Sequence, residues 1–168
     1  VTKLGIVGAG SVGTALAYAS LIREAAREIV IYDIDATRAE AEALDLSHGT
    51  QFTGANTVAG GGRIEALAAP DVIVVTAGAR QKPGQTSLDL AAANVRIMET
   101  LMPALMEQAP EAVYILVTNP CDILTVAAQK ITGLPPNRIF SSGTVLDTSR
   151  LRLPVARMAH VLMSSVHA

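Results

Sequence analysis

The stretch of sequence that decides the fold runs from Val7 to Gly13 and reads Val-Gly-Ala-Gly-Ser-Val-Gly. An apolar strand pattern, residues 3–7, leads into it, and a helical pattern follows it. A second apolar run, residues 29–32, ends at Asp33, which stands 20 positions after Gly13. Strand, glycine turn, helix, second strand and acidic residue occur in the order of a βαβ unit that binds a dinucleotide. The motif therefore predicts a dinucleotide site.

Each glycine of the motif has a physical role in such a site. Gly8 permits a tight turn, Gly10 lets the backbone approach a pyrophosphate, and Gly13 lets the helix pack against the sheet. Amide groups and the positive end of the helix dipole at residues 11–14 would face the phosphates. Asp33 would accept hydrogen bonds from a ribose diol and repel a 2′-phosphate, which favours NAD over NADP. The alternative is a glycine turn without a ligand, with Asp33 capping the strand end. The predicted cofactor contacts are Gly8, Gly10, Ser11, Val12, Gly13 and Asp33.

Length and composition restrict the class of protein. The 168 residues suffice for one domain with a sizeable core, or for a piece of a larger protein. Half of the residues are hydrophobic and only 3% are aromatic, which is typical of a buried parallel sheet under alanine-rich helices. The net charge of −2 without a basic patch argues against nucleic acid and anionic membranes as partners. Cys121 is the only cysteine, so no internal disulfide forms. We expect no metal site, no signal peptide, no membrane span and a cytoplasmic location.

Strand and helix patterns alternate throughout, which predicts an α/β fold with a doubly wound, parallel, six-stranded sheet. The first helix should bury Val12, Leu16, Ala19 and Ile22, which recur at helical spacing. Helices are also expected over 36–46 and 87–108, after Pro120, and from near Asp147. The predicted strands are 3–7, a strand ending at Asp33, 56–59, 71–76, 113–118 and 138–141.

Glycine and proline bear on the structure expected at three positions. We expect residues 60–62, all glycine, to form a surface turn. Pro103 should bend the long helix or divide it in two. Pro154 is poorly placed inside a final helix unless that helix starts late or kinks.

Three longer motifs resemble the L-lactate dehydrogenases of bacteria, within the lactate and malate dehydrogenase family. They are residues 76–84, 117–120 and 142–150, and together with the glycine turn they extend over most of the chain. The resemblance implies a Rossmann NAD-binding domain at 1–150, with 151–168 beginning the connection to a catalytic domain outside this sequence. It also adds Thr76, Ala77, Gly78 and Asn119 to the predicted contacts of NAD.

The resemblance implies roles for several polar side chains. Arg150 matches the arginine whose planar fork holds the substrate carboxylate. Asp147 matches the carboxylate that orients the catalytic histidine, and it is also placed to cap the final helix. Asn119 matches an asparagine near the nicotinamide and the substrate, although an Asx turn before proline would explain it too. Gln81 stands where malate dehydrogenases typically have arginine, so the implied substrates are pyruvate and lactate.

Two departures from the family pattern bear on activity. Ser87 stands where the family has a mobile-loop arginine that polarises the substrate carbonyl. None of His48, His160 and His167 matches the family's catalytic histidine, which belongs to a Gly-Glu-His-Gly-Asp segment. The implied activity is NAD-dependent L-lactate dehydrogenase, with this chain inactive alone. The alternatives are an NAD-binding module without dehydrogenase activity and a malate dehydrogenase.

The resemblance also implies regulation and assembly. Arg152 and His167 match a pair that binds fructose 1,6-bisphosphate at a subunit interface in allosteric members of the family. Arginine and histidine side chains that meet their symmetry mates can hold phosphate through charge-assisted hydrogen bonds. A homo-oligomer is expected, since the family is commonly tetrameric.

Overall fold

The computed structural model describes residues 2–54, 56–80 and 84–167. Strands and helices alternate along them, as the apolar patterns predict. The strands are β1 (Lys3–Val7), β2 (Glu28–Tyr32), β3 (Thr57–Gly61), β4 (Val72–Val75), β5 (Val113–Leu116) and β6 (Ile139–Ser141). The helices are α1 (Ser11–Ile22), α2 (Ala36–His48), α3 (Ser87–Gln108), α4 (Cys121–Thr132) and α5 (Val145–Ala159). Short 3-10 turns lie at Thr50–Phe52, Ile64–Leu67 and Met163–Ser165.

The strands form one parallel, six-stranded sheet in the order β3-β2-β1-β4-β5-β6, which confirms the predicted doubly wound fold. Ile6 of β1 pairs with Ile31 on one side and Val74 on the other. The chain builds outward from β1 to β3 and then returns to place β4 against the other edge of β1. This reversal leaves a crevice outside the carboxyl ends of β1 and β4, which is where open α/β sheets bind ligands.

Helices cover both faces of the sheet. Successive strand residues point to opposite faces, so Ile6 and Val7 contribute to different apolar clusters. One cluster joins the strands to α1 and α2 through Ala17 and Ala39. The other joins them to α3 and α4 and includes the large buried side chain of Met98. Because both faces are buried, the strands are nearly continuous apolar runs, as the composition indicates.

The predicted buried face of α1 is wrong. Val12 and Ile22 are each 56% exposed, Ala19 is exposed and Leu16 is only partly buried. The buried positions are instead Gly13, Ala17, Ser20 and Leu21. The reason is steric: Gly13 packs so closely on the turn after β1 that a Cβ there would clash with the carbonyl oxygen of Gly8. This contact fixes the rotation of the helix and turns several of its larger apolar side chains outward.

The expected surface turn of three glycines is also wrong. Strand β3 continues to Gly61, so Gly60 lies inside the sheet and only Gly62 follows it. A Cβ on Gly60 would clash with the carbonyl oxygen of Ala39. The glycines therefore permit close packing of α2 on β3.

The helix boundaries correct three further predictions. Helix α3 is continuous across Pro103, so the predicted division does not occur. Helix α5 begins at Val145 with Thr144 at the N-cap, and it continues through Pro154. Asp147 therefore lies within the first turn and is not the cap, because the Thr148 amide already donates to the Thr144 carbonyl at 2.7 Å. Helix α4, by contrast, starts directly after Pro120 as predicted, with Pro120 as its N-cap.

None of the helices in the described parts of the chain combines the length and the apolar character needed to cross a bilayer.

Candidate cofactor-binding site

A cleft of about 1320 Å³ opens at the carboxyl ends of the central strands. Its walls come from the glycine turn, the end of β2, the segments after β4 and β5, and one side of α3. The structure brings every cofactor contact expected from the sequence to this one cleft. Its lining includes Gly8, Gly10, Ser11, Val12, Gly13, Asp33, Thr76, Ala77, Gly78 and Asn119.

The glycine turn has the shape that its sequence predicts. Gly8 has φ +108°, a conformation that side chains disfavour, and a Cβ there would lie 2.8 Å from the Ala77 nitrogen. Its own amide donates to the Tyr32 carbonyl at 2.7 Å, which ties the turn to the end of β2. By contrast, a Cβ on Gly10 would meet nothing within 4 Å. The backbone at Gly10 therefore faces open space in which a ligand can approach it.

The beginning of α1 supplies hydrogen-bond donors to the cleft. The first intrahelical bond is from the Thr14 amide to the Gly10 carbonyl at 2.9 Å. The amides of the three preceding residues, Ser11, Val12 and Gly13, have no acceptor within the helix by geometry. No side chain of the described residues caps this end. An uncapped helix beginning attracts anions through its amides and its dipole, which suits a diphosphate.

The carboxylate of Asp33 stands at the end of β2 in a fixed position. Its Oδ2 accepts from the Ala9 amide at 2.7 Å, and its Oδ1 accepts from the Asp35 amide at 2.9 Å. Each carboxylate oxygen has a second lone pair, so Asp33 can still accept hydrogen bonds from two hydroxyl groups. This geometry matches the role predicted for it toward a ribose diol.

Three arginines also line the cleft: Arg38, Arg80 and Arg96. In the part of the chain that the structure describes, none of them forms an ion pair. Their positive charge complements the phosphates of a dinucleotide. The sequence did not single out Arg38 and Arg96, because their placement depends on which sides of α2 and α3 face the cleft, whereas Arg80 lies in the segment after β4.

The remaining wall is apolar. Ile97 and Leu101 of α3 line the cleft beside Ile64, which belongs to a 3-10 turn that packs against α3. Both side chains also pack against the core and are partly buried, whereas Met98 and Leu105 of the same helix are fully buried. An apolar wall of this kind suits the flat face of a nucleotide base.

The residues present therefore fit a dinucleotide. The cleft offers free amides for a diphosphate, a positioned carboxylate for a ribose diol, and apolar side chains for a base. It also leaves open space beside Gly10, which any side chain at that position would occupy.

The other predicted polar residues lie outside the cleft or form hydrogen bonds within the protein. Arg150 and Asp147 are not in the described lining of the cleft, and they form an ion pair with each other at 3.2 Å on the exposed side of α5. The Thr76 hydroxyl donates to the carbonyls of Val7 and Gly8, so it supports the turn. Gln81 lies outside the described residues.

Ser87 begins α3 and is exposed. The preceding Thr86 forms a capping box with Asp89, in which the Thr86 hydroxyl donates to the carboxylate at 2.6 Å. This hydroxyl and the Thr86 amide hold the pKa of Asp89 below its usual value. The beginning of α3 is thus stabilised by its own residues.

Of the predicted regulatory pair, Arg152 lies in the middle of α5, and His167 follows the last 3-10 turn. Arg152 is partly buried, and its Nη2 donates to the Met163 carbonyl at 3.2 Å, whereas His167 is exposed. The Nε of Arg152 is buried and has no hydrogen-bond partner among the residues that the structure describes.

Comparison with known proteins agrees with this site. The family model "lactate/malate dehydrogenase, NAD binding domain" matches residues 2–141. An L-lactate dehydrogenase of Bifidobacterium animalis subsp. lactis is 49% identical over 167 residues, which are 99% of this chain and 52% of that protein. Another, from a Synechococcus species, is 46% identical over 99% of this chain and 54% of its own length. The chain thus spans about half the length of the curated relatives it matches.

A solved structure shows the same fold over the same length. The minor L-lactate dehydrogenase from Enterococcus mundtii, in its ligands-bound form, superposes with a TM-score of 0.92 at 38% identity. The match covers 99% of this chain and 53% of that one. The chain belongs to the lactate/malate dehydrogenase family as an NAD-binding domain, and its cofactor is NAD.

Proposed function

We propose that this chain is the cofactor-binding part of an NAD-dependent L-lactate dehydrogenase, with residues 1–150 as the domain and 151–168 as the start of the connection to a catalytic domain. The observation that carries the proposal is the convergence of all the expected NAD contacts on one cleft. The relatives named above as L-lactate dehydrogenases support pyruvate and lactate as the substrates. They do not favour malate dehydrogenase.

When bound, NAD supplies or accepts the hydride at its nicotinamide ring. The uncapped amides of Ser11, Val12 and Gly13 bind the diphosphate, and Asp33 binds the ribose of the adenosine half. Asn119, at the other end of the cleft, orients the nicotinamide and the substrate. These groups bind and orient without themselves changing charge, so their contribution is to place the reacting atoms.

On the substrate side, we assign the substrate carboxylate to Arg150 and the support of a proton-transferring histidine to Asp147. The two side chains form a pair that is 69% and 68% exposed. Exposed pairs of this kind contribute about 1 kcal/mol or less, so a substrate carboxylate can displace Asp147 from Arg150 at little cost. None of His48, His160 and His167 matches the family's histidine, so the proposal assigns proton transfer to a residue outside this sequence.

Ser87 limits the rate in this proposal. A serine provides no positive charge to the alkoxide that develops in the transition state, and loss of one such group typically lowers the rate about 100- to 1000-fold. We predict that, in the protein at its natural length, Ser87→Arg raises kcat for pyruvate by about that factor, whereas Ser87→Gln, which adds a polar side chain without charge, does not. Equal kcat for both variants would refute the assignment.

The test of the activity is NADH oxidation by the protein at its natural length, with pyruvate and oxaloacetate compared. The proposal predicts a higher kcat/KM for pyruvate. Preference for oxaloacetate would show a malate dehydrogenase, and NADH binding without turnover of either acid would show a binding module without dehydrogenase activity.

We further propose that the protein is a cytoplasmic homo-oligomer that binds fructose 1,6-bisphosphate through Arg152 and His167. Exposed apolar side chains on α1, among them Val12, Tyr18 and Ile22, support an interface between subunits. The Nε of Arg152, which is buried and has no hydrogen-bond partner among the described residues, supports a ligand near that side chain. Calorimetric titration with the sugar bisphosphate should saturate, and Arg152→Gln should weaken it. A titration without saturation would remove this assignment.

A further inference from the structure

Asn94 is a polar side chain inside the apolar stripe of α3. It is 0% exposed and lies in phase with Ala91, Met98 and Met102, which are also buried. An amide buried among apolar groups is costly unless its donor and acceptor are both used. Its position therefore calls for partners strong enough to offset the loss of water.

Both partners of Asn94 belong to the cleft. Its Oδ1 accepts from the Ala79 amide at 2.7 Å, and its Nδ2 donates to the Asn119 carbonyl at 2.8 Å. Ala79 follows β4 and Asn119 follows β5, and both residues line the cleft. One side chain thus joins the two segments that leave neighbouring strands.

A second side chain, that of Thr118, strengthens the same connection. The Thr118 Oγ1 donates to the Ala77 carbonyl at 2.7 Å, again from the segment after β5 to the segment after β4. Gly78 lies between these bonds: a Cβ there would clash with Thr118 Cγ2 and approach Asn94 Oδ1 at 3.0 Å. The two segments are therefore in direct contact, and their relative position depends on Asn94 and Thr118.

The adenosine end of the cleft is held independently. Asp33 is fixed by the amides of Ala9 and Asp35, and Gly8 is fixed by the Tyr32 carbonyl. None of these bonds involves Asn94. Removal of the Asn94 amide should consequently disturb one half of the cleft and leave the other intact.

We propose that Asn94 is a positioning residue for the nicotinamide half of NAD. It holds the backbone of Asn119 and of Ala79 in place and leaves the Asn119 side chain, which is exposed, to meet the ligand. The inference rests on the proposed function in one respect, namely that the nicotinamide lies at the Asn119 end.

The test compares two ligands on the same chain by calorimetry. NADH occupies the whole cleft, whereas ADP-ribose has the adenosine and diphosphate but no nicotinamide. Asn94→Leu, close in size, leaves the Ala79 amide and the Asn119 carbonyl unpaired. We expect this variant to lower the affinity for NADH about 10- to 100-fold and the affinity for ADP-ribose less than about twofold.

Gln129→Leu is the matched control. The Gln129 Nε2 donates to the Ile139 carbonyl at 3.0 Å, so this amide also joins two elements, α4 and β6, but it is not in the described lining of the cleft. The variant should lower the unfolding temperature and leave the ratio of the two affinities unchanged.

A second variant covers the case in which Asn94→Leu does not fold. Asn94→Asp keeps an acceptor for Ala79 but replaces the donor to Asn119 with an oxygen, so it should also weaken NADH selectively. Amide hydrogen exchange gives an independent readout: Asn94→Leu should expose the Ala79 amide to exchange and leave the Ala9 amide, which Asp33 holds, protected.

The outcomes separate the inference from the proposed function. If either Asn94 variant lowers the affinities for NADH and ADP-ribose by the same factor, the role of Asn94 is only structural and the inference is overturned. If the unmodified chain binds ADP-ribose but gains no affinity from the nicotinamide, the assignment of the Asn119 end fails. If it binds neither ligand, the proposed function itself is wrong.

Discussion

At the scale of single residues, we assign to the Asp33 carboxylate both a structural role in the cleft and the selection of its ligand. The amides of Ala9 and Asp35 hold its two oxygens at the end of β2. The second lone pairs of these oxygens remain for a diol, and their negative charge opposes a 2′-phosphate. The preference for NAD over NADP is therefore assigned to this single residue.

We predict that Asp33→Ser lowers the affinity for NADH about 10- to 100-fold, because hydrogen bonds to a charged group are worth about 1.5–3 kcal/mol. The affinity for NADPH should fall less than that for NADH, or rise, since the repulsion between Asp33 and the extra phosphate is removed. Fluorescence titration with both nucleotides measures the ratio of their affinities.

Asp35→Ala is the control for this change. Its side chain caps α2 by accepting from the Arg38 amide at 3.1 Å, so its loss should cost about 1 kcal/mol of stability. The ratio of NADH to NADPH affinity should stay as in the unmodified chain. If Asp35→Ala changed the ratio as much as Asp33→Ser does, selection could not be assigned to Asp33.

At the scale of elements, the glycine turn separates packing from binding. Gly13 is in contact with Gly8, in the turn after β1, and has no room for a side chain, whereas a Cβ on Gly10 would have open space around it. Gly10 also has φ −76° and ψ 178°, an extended conformation that any residue adopts. The two glycines should therefore respond differently to the same substitution.

We predict that Gly13→Ala destabilises the chain by about 1–3 kcal/mol, because α1 must move away from the Gly8 carbonyl. Gly10→Ala should leave the free energy of unfolding nearly unchanged and lower NADH affinity, because its methyl group stands where the diphosphate approaches. Urea denaturation and NADH titration of both variants measure the two effects. Equal loss of stability in both would contradict the division of roles.

A carboxylate also joins the beginnings of β1 and β4. The Asp71 Oδ2 accepts from the Thr2 amide at 2.7 Å and from the Lys3 amide at 2.9 Å. These two bonds, the one from Lys3 above all, hold the pKa of Asp71 below its ordinary value of 3.8. Because the folded form has the lower pKa, its stabilisation is present well above pH 3.8 and is lost as the pH falls through the lowered pKa.

Asp71→Asn should therefore destabilise the chain near neutral pH, and the difference from the unmodified chain should shrink as the pH falls through that range. Urea denaturation at a series of pH values measures it. Asp45→Asn, at an exposed position of α2, provides the comparison. A difference that stays constant with pH would mean that the ionised carboxylate is not responsible.

The apolar patterns predicted which elements form better than how each is turned. Strand β1 and helix α3 begin and end where the sequence predicts, because hydrophobic runs and the Thr86 cap define them. The face of α1 was wrong because the close contact of Gly13 outweighs the burial of Val12 and Ile22. Asn94 was missed, although a polar residue in phase with Ala91 and Met98 is a signal that could have found it.

At the scale of the whole molecule, the order of the strands creates the site. Because β1 and β4 are neighbours whose connections leave in opposite directions, the segments after them meet in one crevice. The sequence could predict the convergence of Asp33, Gly78 and Asn119, since the carboxyl ends of parallel strands share one edge. It could not predict Arg38 and Arg96, whose approach to the cleft depends on how α2 and α3 pack.

The central claim is that NAD lies across this crevice with its diphosphate at the beginning of α1. The most direct measurement is a titration of the chain with NADH, followed through its backbone amide NMR signals. We predict that the signals of Ser11, Val12, Gly13 and Gly78 change most and saturate at one NADH per chain. Saturating NADH that leaves these four signals in place, or that shifts only residues of α5, would contradict the account.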